Sequence, residues 1–281
     1  MKLAQILKHS PKKRTRRKAR LPRIAPPAAQ ERWYVARLLE RTEAMHEIIM
    51  RHVTPAYAAA LPEIEATRPD SAVGDMFRTL GRARAEVMRD AFSDQEIESM
   101  AAYQFDSVRT FSAGALGSFF VAAIGFNPVS DGGWLDLERD KFVAANVDMI
   151  KTLPERHSAE VRQEVSDAFA RGDRVETLQA KLIERYEGEG QEPGKARWNA
   201  ERLARDQTLS LHAQLNELRC KELGIEAYIW RTMGDNRVRD RHEDRNGKPF
   251  RYDNPPEGGP PGTEIMCRCY EEPIIPGVNE Q

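Results

Sequence analysis

Three residues near the end of this chain, His242, Cys267 and Cys269, are of the types that ligate soft metals. Two of only three cysteines stand two apart, downstream of a histidine in a short polar loop. Thiolate and imidazole suit zinc, and a structural zinc takes four ligands. The sequence offers three good ones, with Asp240 or Glu264 as sources of a fourth. The alternative is that the cysteines pack as small apolar groups and His242 bonds locally. Asp235, Asp240, His242 and Glu243 also resemble the carboxylates, metal site and base of a metal-dependent nuclease. They fall within a charge-rich stretch of nine residues, however, where such coincidences are common. No P-loop, Ser/His/Asp set or HExxH pattern accompanies them, so the chain reads as a non-enzyme.

A second chemistry lies at the other end. The first thirty residues hold ten Lys/Arg and no acid, and Glu31 is the first carboxylate. With a net charge of −1 overall, the remaining 251 residues carry −11, which is −1 less the +10 of the arm. Lys12, Lys13, Arg14, Arg16, Arg17, Lys18 and Arg20 form the densest run, followed by Pro22, Pro26 and Pro27. Such a segment reads as an extended arm. It is either a solvated tail or a contact for phosphates or an acidic protein surface.

The positioning elements follow from periodicity. Tyr34, Leu38, Met45, Ile49 and Val53 recur at three- to four-residue steps and predict a helix over 30–60, broken by Pro62 and Pro69. One or two helices cover 74–106, with Ser93 as N-cap and Glu96 as its box partner. The glycine-dotted apolar run 113–126 is too short to span a bilayer and reads as a buried segment, with no membrane partner expected. Phe142, Val143, Val147 and Ile150 make one stripe, and Val161, Val165, Ala168 and Phe169 another. Gly172 ends that helix; Asp173 with Glu176 signals the next. A polar linker spans 187–194, and a long helix runs over 195–223 to Gly224. Beyond it, 225–232 reads as a strand, Asn246-Gly247 as a tight turn and 267–275 as a last strand, which puts both cysteines on one face. Trp230 is the expected core anchor. Asp235, Arg237 and Arg239 are expected to order a loop by salt bridges and turn bonds, with phosphate contact as the alternative. The fold class is therefore a mainly α N-terminal and central helical region followed by a small α+β C-terminal domain. Its blocks are a basic arm 1–29, helical regions 30–130 and 131–224, and a sheet-containing domain 225–281. Three cysteines and no visible secretory signal point to assembly in a reducing cytoplasm.

The ordered set Tyr228-Ile-Trp230-Arg-Thr232, Asp235, Arg237-Val-Arg239, His242, Gly247 and Cys267-Arg268-Cys269 before Pro273 resembles the phage head morphogenesis family, the minor head proteins similar to phage Mu protein F. Asn146, Gly172 and 204–208 fit the same pattern, and the resemblance covers about half the chain. It implies a minor capsid protein of the virion, assembled in a bacterial host. Its partners would be the portal protein, other head proteins and packaged double-stranded DNA. It implies no catalytic residues. Many relatives carry a Cys-x-x-Cys where this chain has residues 239–242, and a histidine near Glu264. The full ligand set implies a zinc site; here His242, Cys267 and Cys269 remain.

Overall fold

The computed structural model describes residues 21–65, 69–188 and 195–279. Lys12, Lys13, Arg14, Arg16, Arg17, Lys18 and Arg20 lie outside them, as does 189–194 of the expected linker. The helices are α1 (Ala28–Glu65), α2 (Pro69–Glu86), α3 (Asp94–Ile124), α4 (Trp134–Arg171), α5 (Val175–Glu187) and α6 (Ala196–Glu222). A π turn, Val87–Ala91, continues α2. Then come β1 (Ala227–Arg231), the one-turn helix α7 (Asp240–Glu243), β2 (Pro249–Arg251) and β3 (Tyr270–Pro273). The strands pair antiparallel in the order β2–β1–β3. This mainly helical chain with a small α+β end is the fold class expected from the sequence.

The chain forms two compact units that are not consecutive blocks. One gathers Trp33–Ala102 and Val143–Ala204. All five residues of the first predicted stripe, from Tyr34 to Val53, are buried in its core with Ile150, Val161, Val165, Leu178 and Leu182. Pro55 and Pro62 both sit inside α1, so Pro62 does not break the helix. Each proline removes one ladder bond, but buried Val53, Tyr57 and Ala60 hold that stretch against the core. Pro69 instead opens α2, where a missing N–H is unneeded. Gly172, at φ 68°, closes α4 as predicted. Asp173 does not cap α5; Arg174 occupies that place, and the Asp173 carboxylate accepts from Arg171 (3.0 Å) and Lys181 (2.7 Å). Ser93 precedes α3, but its hydroxyl bonds the Glu96 carboxylate (2.9 Å) rather than a backbone amide.

The other unit gathers, of the described residues, 21–32, Tyr103–Phe142 and 205–279. Residues of the sheet share one core with Ile24, with Leu116, Phe119 and Phe120 of α3, and with Cys220 of α6. The run 113–126 is thus only half a buried segment: its inner residues enter this core, while Gly114, Ser118 and Val121 are exposed. By length and composition α3 is long and apolar enough to cross a membrane, and one third of its most apolar window is buried. A polar seam fixes α6 here. Gln104 donates to Thr208 (2.8 Å), and buried Arg219 donates to the Arg109 carbonyl (3.2 Å) and Asp131 (3.1 Å).

Candidate metal centre

The site is built where three short segments meet against β1. Trp230 sits mid-strand, its amide donating to the Lys248 carbonyl (3.0 Å) and its carbonyl accepting from Gly247 (2.8 Å). Gly247 takes φ 81°, which only glycine adopts freely, so the Asn246-Gly247 signal marks the entry into β2. Between the strands, α7 makes a single turn closed by the His242 and Glu243 amides on the Arg239 carbonyl (2.8 and 3.0 Å). That turn points His242 inward, 2% exposed, edge-on to the Trp230 indole at 5.1 Å.

The Cys267-Arg-Cys269 segment arrives from the Pro/Gly loop. It precedes β3 rather than belonging to it, which shortens the strand expected over 267–275. Both cysteines are nonetheless buried on the side of His242. Each Sγ is 3.6 Å from His242 Nδ1, and the three ligand atoms all lie within 4.8 Å of one another. Zinc bonds of about 2.3 Å to sulfur and 2.0–2.1 Å to nitrogen, set at tetrahedral angles, separate N from S by about 3.6 Å. Both N–S edges of the cluster therefore match those of a tetrahedral zinc site. The two expected sources of a fourth ligand do not join it. Asp240 is exposed on α7, and Glu264 lies on the other ring nitrogen, Nε2, at 3.2 Å. These two atoms are out of line for a strong hydrogen bond, and neither has another partner.

The surrounding charged residues clamp the loop that delivers the cysteines. Asp235 takes a two-oxygen contact from Arg268 (2.6 and 2.8 Å) and accepts the Arg237 amide (3.2 Å). Arg239 donates to the Ile265 carbonyl (2.7 Å) and pairs with Glu264 (3.4 Å). Arg241 pairs with the same Glu264 oxygen. Asp206 on α6 accepts the amide of Met266 (2.9 Å), whose φ of 60° is unusual for a residue with a side chain. Two glycines allow the close packing. A Cβ on Gly258 would overlap the Glu264 carboxylate, and one on Gly262 would overlap Ala213 of α6.

Sequence reasoning placed Asp206 in the 204–208 run of the resemblance without a role, and missed Gly258, Gly262, Arg241 and the side of the ring that Glu264 takes. Only the paired glycines of the loop carried a readable signal. The four residues of the nuclease alternative do not converge: Glu243 accepts from Thr232 (3.0 Å) and Asn246 (3.2 Å), Asp235 is bound to Arg268, and only His242 enters the cluster.

Electrostatics favour a shared charge at the sulfurs. The Cys269 hydrogen bond, with backbone amides and His242, lowers the Cys267 thiol against its burial. The same hydrogen bond and burial raise Cys269. The pair thus gives up one proton readily and holds the second, which a bound cation would displace. Burial alone would raise the Glu264 carboxyl, but His242, then Arg241 and Arg239, outweigh it and keep it below the usual carboxylate range. A donor set of two thiolates and an imidazole selects zinc or monovalent copper over magnesium or calcium.

Residues 159–271 match the family described as phage Mu protein F like protein. The chain carries a Mu F-like region. This bears out the resemblance carried by the Tyr228–Thr232, Asp235–His242 and Cys267–Cys269 motifs, all of which lie inside the match. An uncharacterized protein of Haemophilus influenzae (strain ATCC 51907 / DSM 11121 / KW20 / Rd) is 34% identical over 140 residues. The match takes in 49% of this chain but only 29% of that relative. No solved structure matches. Within the Mu F-like region, then, Trp230, Asp235, Arg239 and Arg268 of the motifs help hold the His-Cys-Cys cluster and its loop together.

Proposed function

We propose that this chain is a minor head protein of a tailed phage or prophage, assembled in the bacterial cytoplasm and carried in the virion. The observation that carries the reading is the Mu F-like match over 159–271, which encloses the whole clamped cluster. In this reading the protein docks on the portal and assists head assembly and DNA packaging or delivery. The cluster of His242, Cys267 and Cys269 takes one zinc ion, whose part is structural: it ties α7 to the loop before β3. Support comes from the fit of the 3.6 Å edges and from the burial of all three ligands. The basic arm supplies an electrostatic contact to an acidic portal surface or to packaged DNA.

Co-expression of the tagged full chain with the portal protein from the same phage genome tests the docking. Co-purification, together with presence in mature particles, is expected; failure of both refutes the reading. Elemental analysis of protein purified without chelator tests the metal, with about one zinc per chain expected for a single structural site.

A further inference from the structure

We propose that Glu264 is the positioning residue of this centre: it holds His242 so that Nδ1, with its lone pair, faces the two sulfurs. The proposal rests on reading His242, Cys267 and Cys269 as metal ligands. A neutral imidazole protonated on one nitrogen binds metal only through the other, so whatever engages one nitrogen decides which can ligate. Here Nδ1 is 3.6 Å from both sulfurs and Nε2 is 3.2 Å from Glu264 Oε1. Nε2 and Oε1 are both buried, neither has another partner, and at 3.2 Å the pair is out of line for a strong hydrogen bond, so the contact between them is one of charge and position.

The carboxylate is itself held in register. Its second oxygen is taken by Arg241 and Arg239, which leaves Oε1 for the ring. Arg239 also bonds the Ile265 carbonyl, so one guanidinium fixes both the carboxylate and the turn leading into Cys267. Gly258, at φ 85°, provides the space the carboxylate fills; any side chain there would collide with it. A carboxylate behind a ligating histidine fixes the tautomer and raises the basicity of the ligand. Its loss costs about ten- to a hundred-fold in metal affinity.

The test uses the full chain, its Glu264→Gln and Gly258→Ala variants, and Cys267→Ser as a control. Zinc affinity is measured by chelator competition, and cobalt(II) absorption reports the ligand set. In Glu264→Gln, binding about ten- to a hundred-fold weaker is expected. Stoichiometry should hold at one metal, with the sulfur-to-cobalt and ligand-field bands unchanged. Gly258→Ala should weaken binding in the same direction by displacing the carboxylate. Unchanged affinity in Glu264→Gln overturns the proposal. So does a shifted ligand-field envelope, which would make Glu264 a ligand itself. A wild-type chain that takes up neither zinc nor cobalt, or a Cys267→Ser variant that keeps the wild-type cobalt spectrum, overturns the metal reading beneath it. That failure is separable because it does not depend on Glu264.

Discussion

Replacing Trp230 by alanine should destabilise the unit that contains the sheet by about 3–5 kcal/mol. The indole is 1% exposed and joins the two halves of the site. It meets His242 edge-on at 5.1 Å and Phe250 at 6.1 Å, and the Arg245 guanidinium lies 5.1 Å from its ring centre. A buried aromatic side chain of this size removes about 150–250 Å² from water, worth about 4–6 kcal/mol at 25 cal/mol/Å². The cavity left behind adds to the loss, and release of the partnerless buried indole N–H subtracts from it. With whole-protein stabilities of about 5–15 kcal/mol, the change is large enough to separate this unit's unfolding from that of the other. Denaturant titration and calorimetry of the full chain, compared with Trp230→Phe, measure it. A Trp230→Ala protein with the wild-type midpoint and slope would refute the packing argument.

The remaining predictions rest on other parts of the chain. Burial lowers both His46 and His212 to about 4, with His157 adding to the shift at His46 and Arg219 to that at His212. The unfolded chain then binds more protons between about pH 6.5 and 4, so stability should be full above pH 6.5 and fall as the pH drops through that window. His212→Asn should flatten the fall in a melting series at constant ionic strength; an unaltered profile would remove His212 from the account. Gly262→Ala combines a φ of 87° with a clash on Ala213 and should cost about 1–3 kcal/mol by urea titration, whereas an exposed Gly114→Ala should cost nothing. Deleting residues 1–20, which spares the buried Ile24, should abolish a salt-sensitive contact. If about six arm charges neutralise DNA phosphates, the logarithm of affinity falls with that of salt at a slope near −5, and an acidic portal surface would instead saturate at fixed stoichiometry. Equal binding and slope in the truncated chain would reduce the arm to a solvated leader.

Helix positions were legible because burial repeats at the period of the helix. The stripes from Tyr34 to Val53 and from Val161 to Ala168 are buried as their spacing demands. Pro62 misled, since a proline marks a lost hydrogen bond but not the packing that outweighs it. The grouping of His242, Cys267 and Cys269 was legible, because a strand-like Cys-x-Cys puts both thiols on one side and the histidine lies in the loop before it. Its supporting residues were not. Asp206 acts on Met266 from sixty positions away, and the value of Gly258 depends on a carboxylate six residues on, placed by a loop with no periodicity. The ring nitrogen that Glu264 engages is a matter of orientation, which residue type and spacing do not encode.

The division of the chain into interleaved units has a consequence for synthesis on the ribosome. The unit made of Trp33–Ala102 and Val143–Ala204 has all its parts before the last quarter of the chain emerges. The other waits for the C-terminus: Ile24 and Ile275 share a core although about 250 residues lie between them. Until then Leu116, Phe119 and Phe120 lack most of the residues that bury them. A nascent or prematurely terminated chain would present them as an apolar surface for chaperones and proteases, and the segment carrying Cys267 and Cys269 is also the one that closes it.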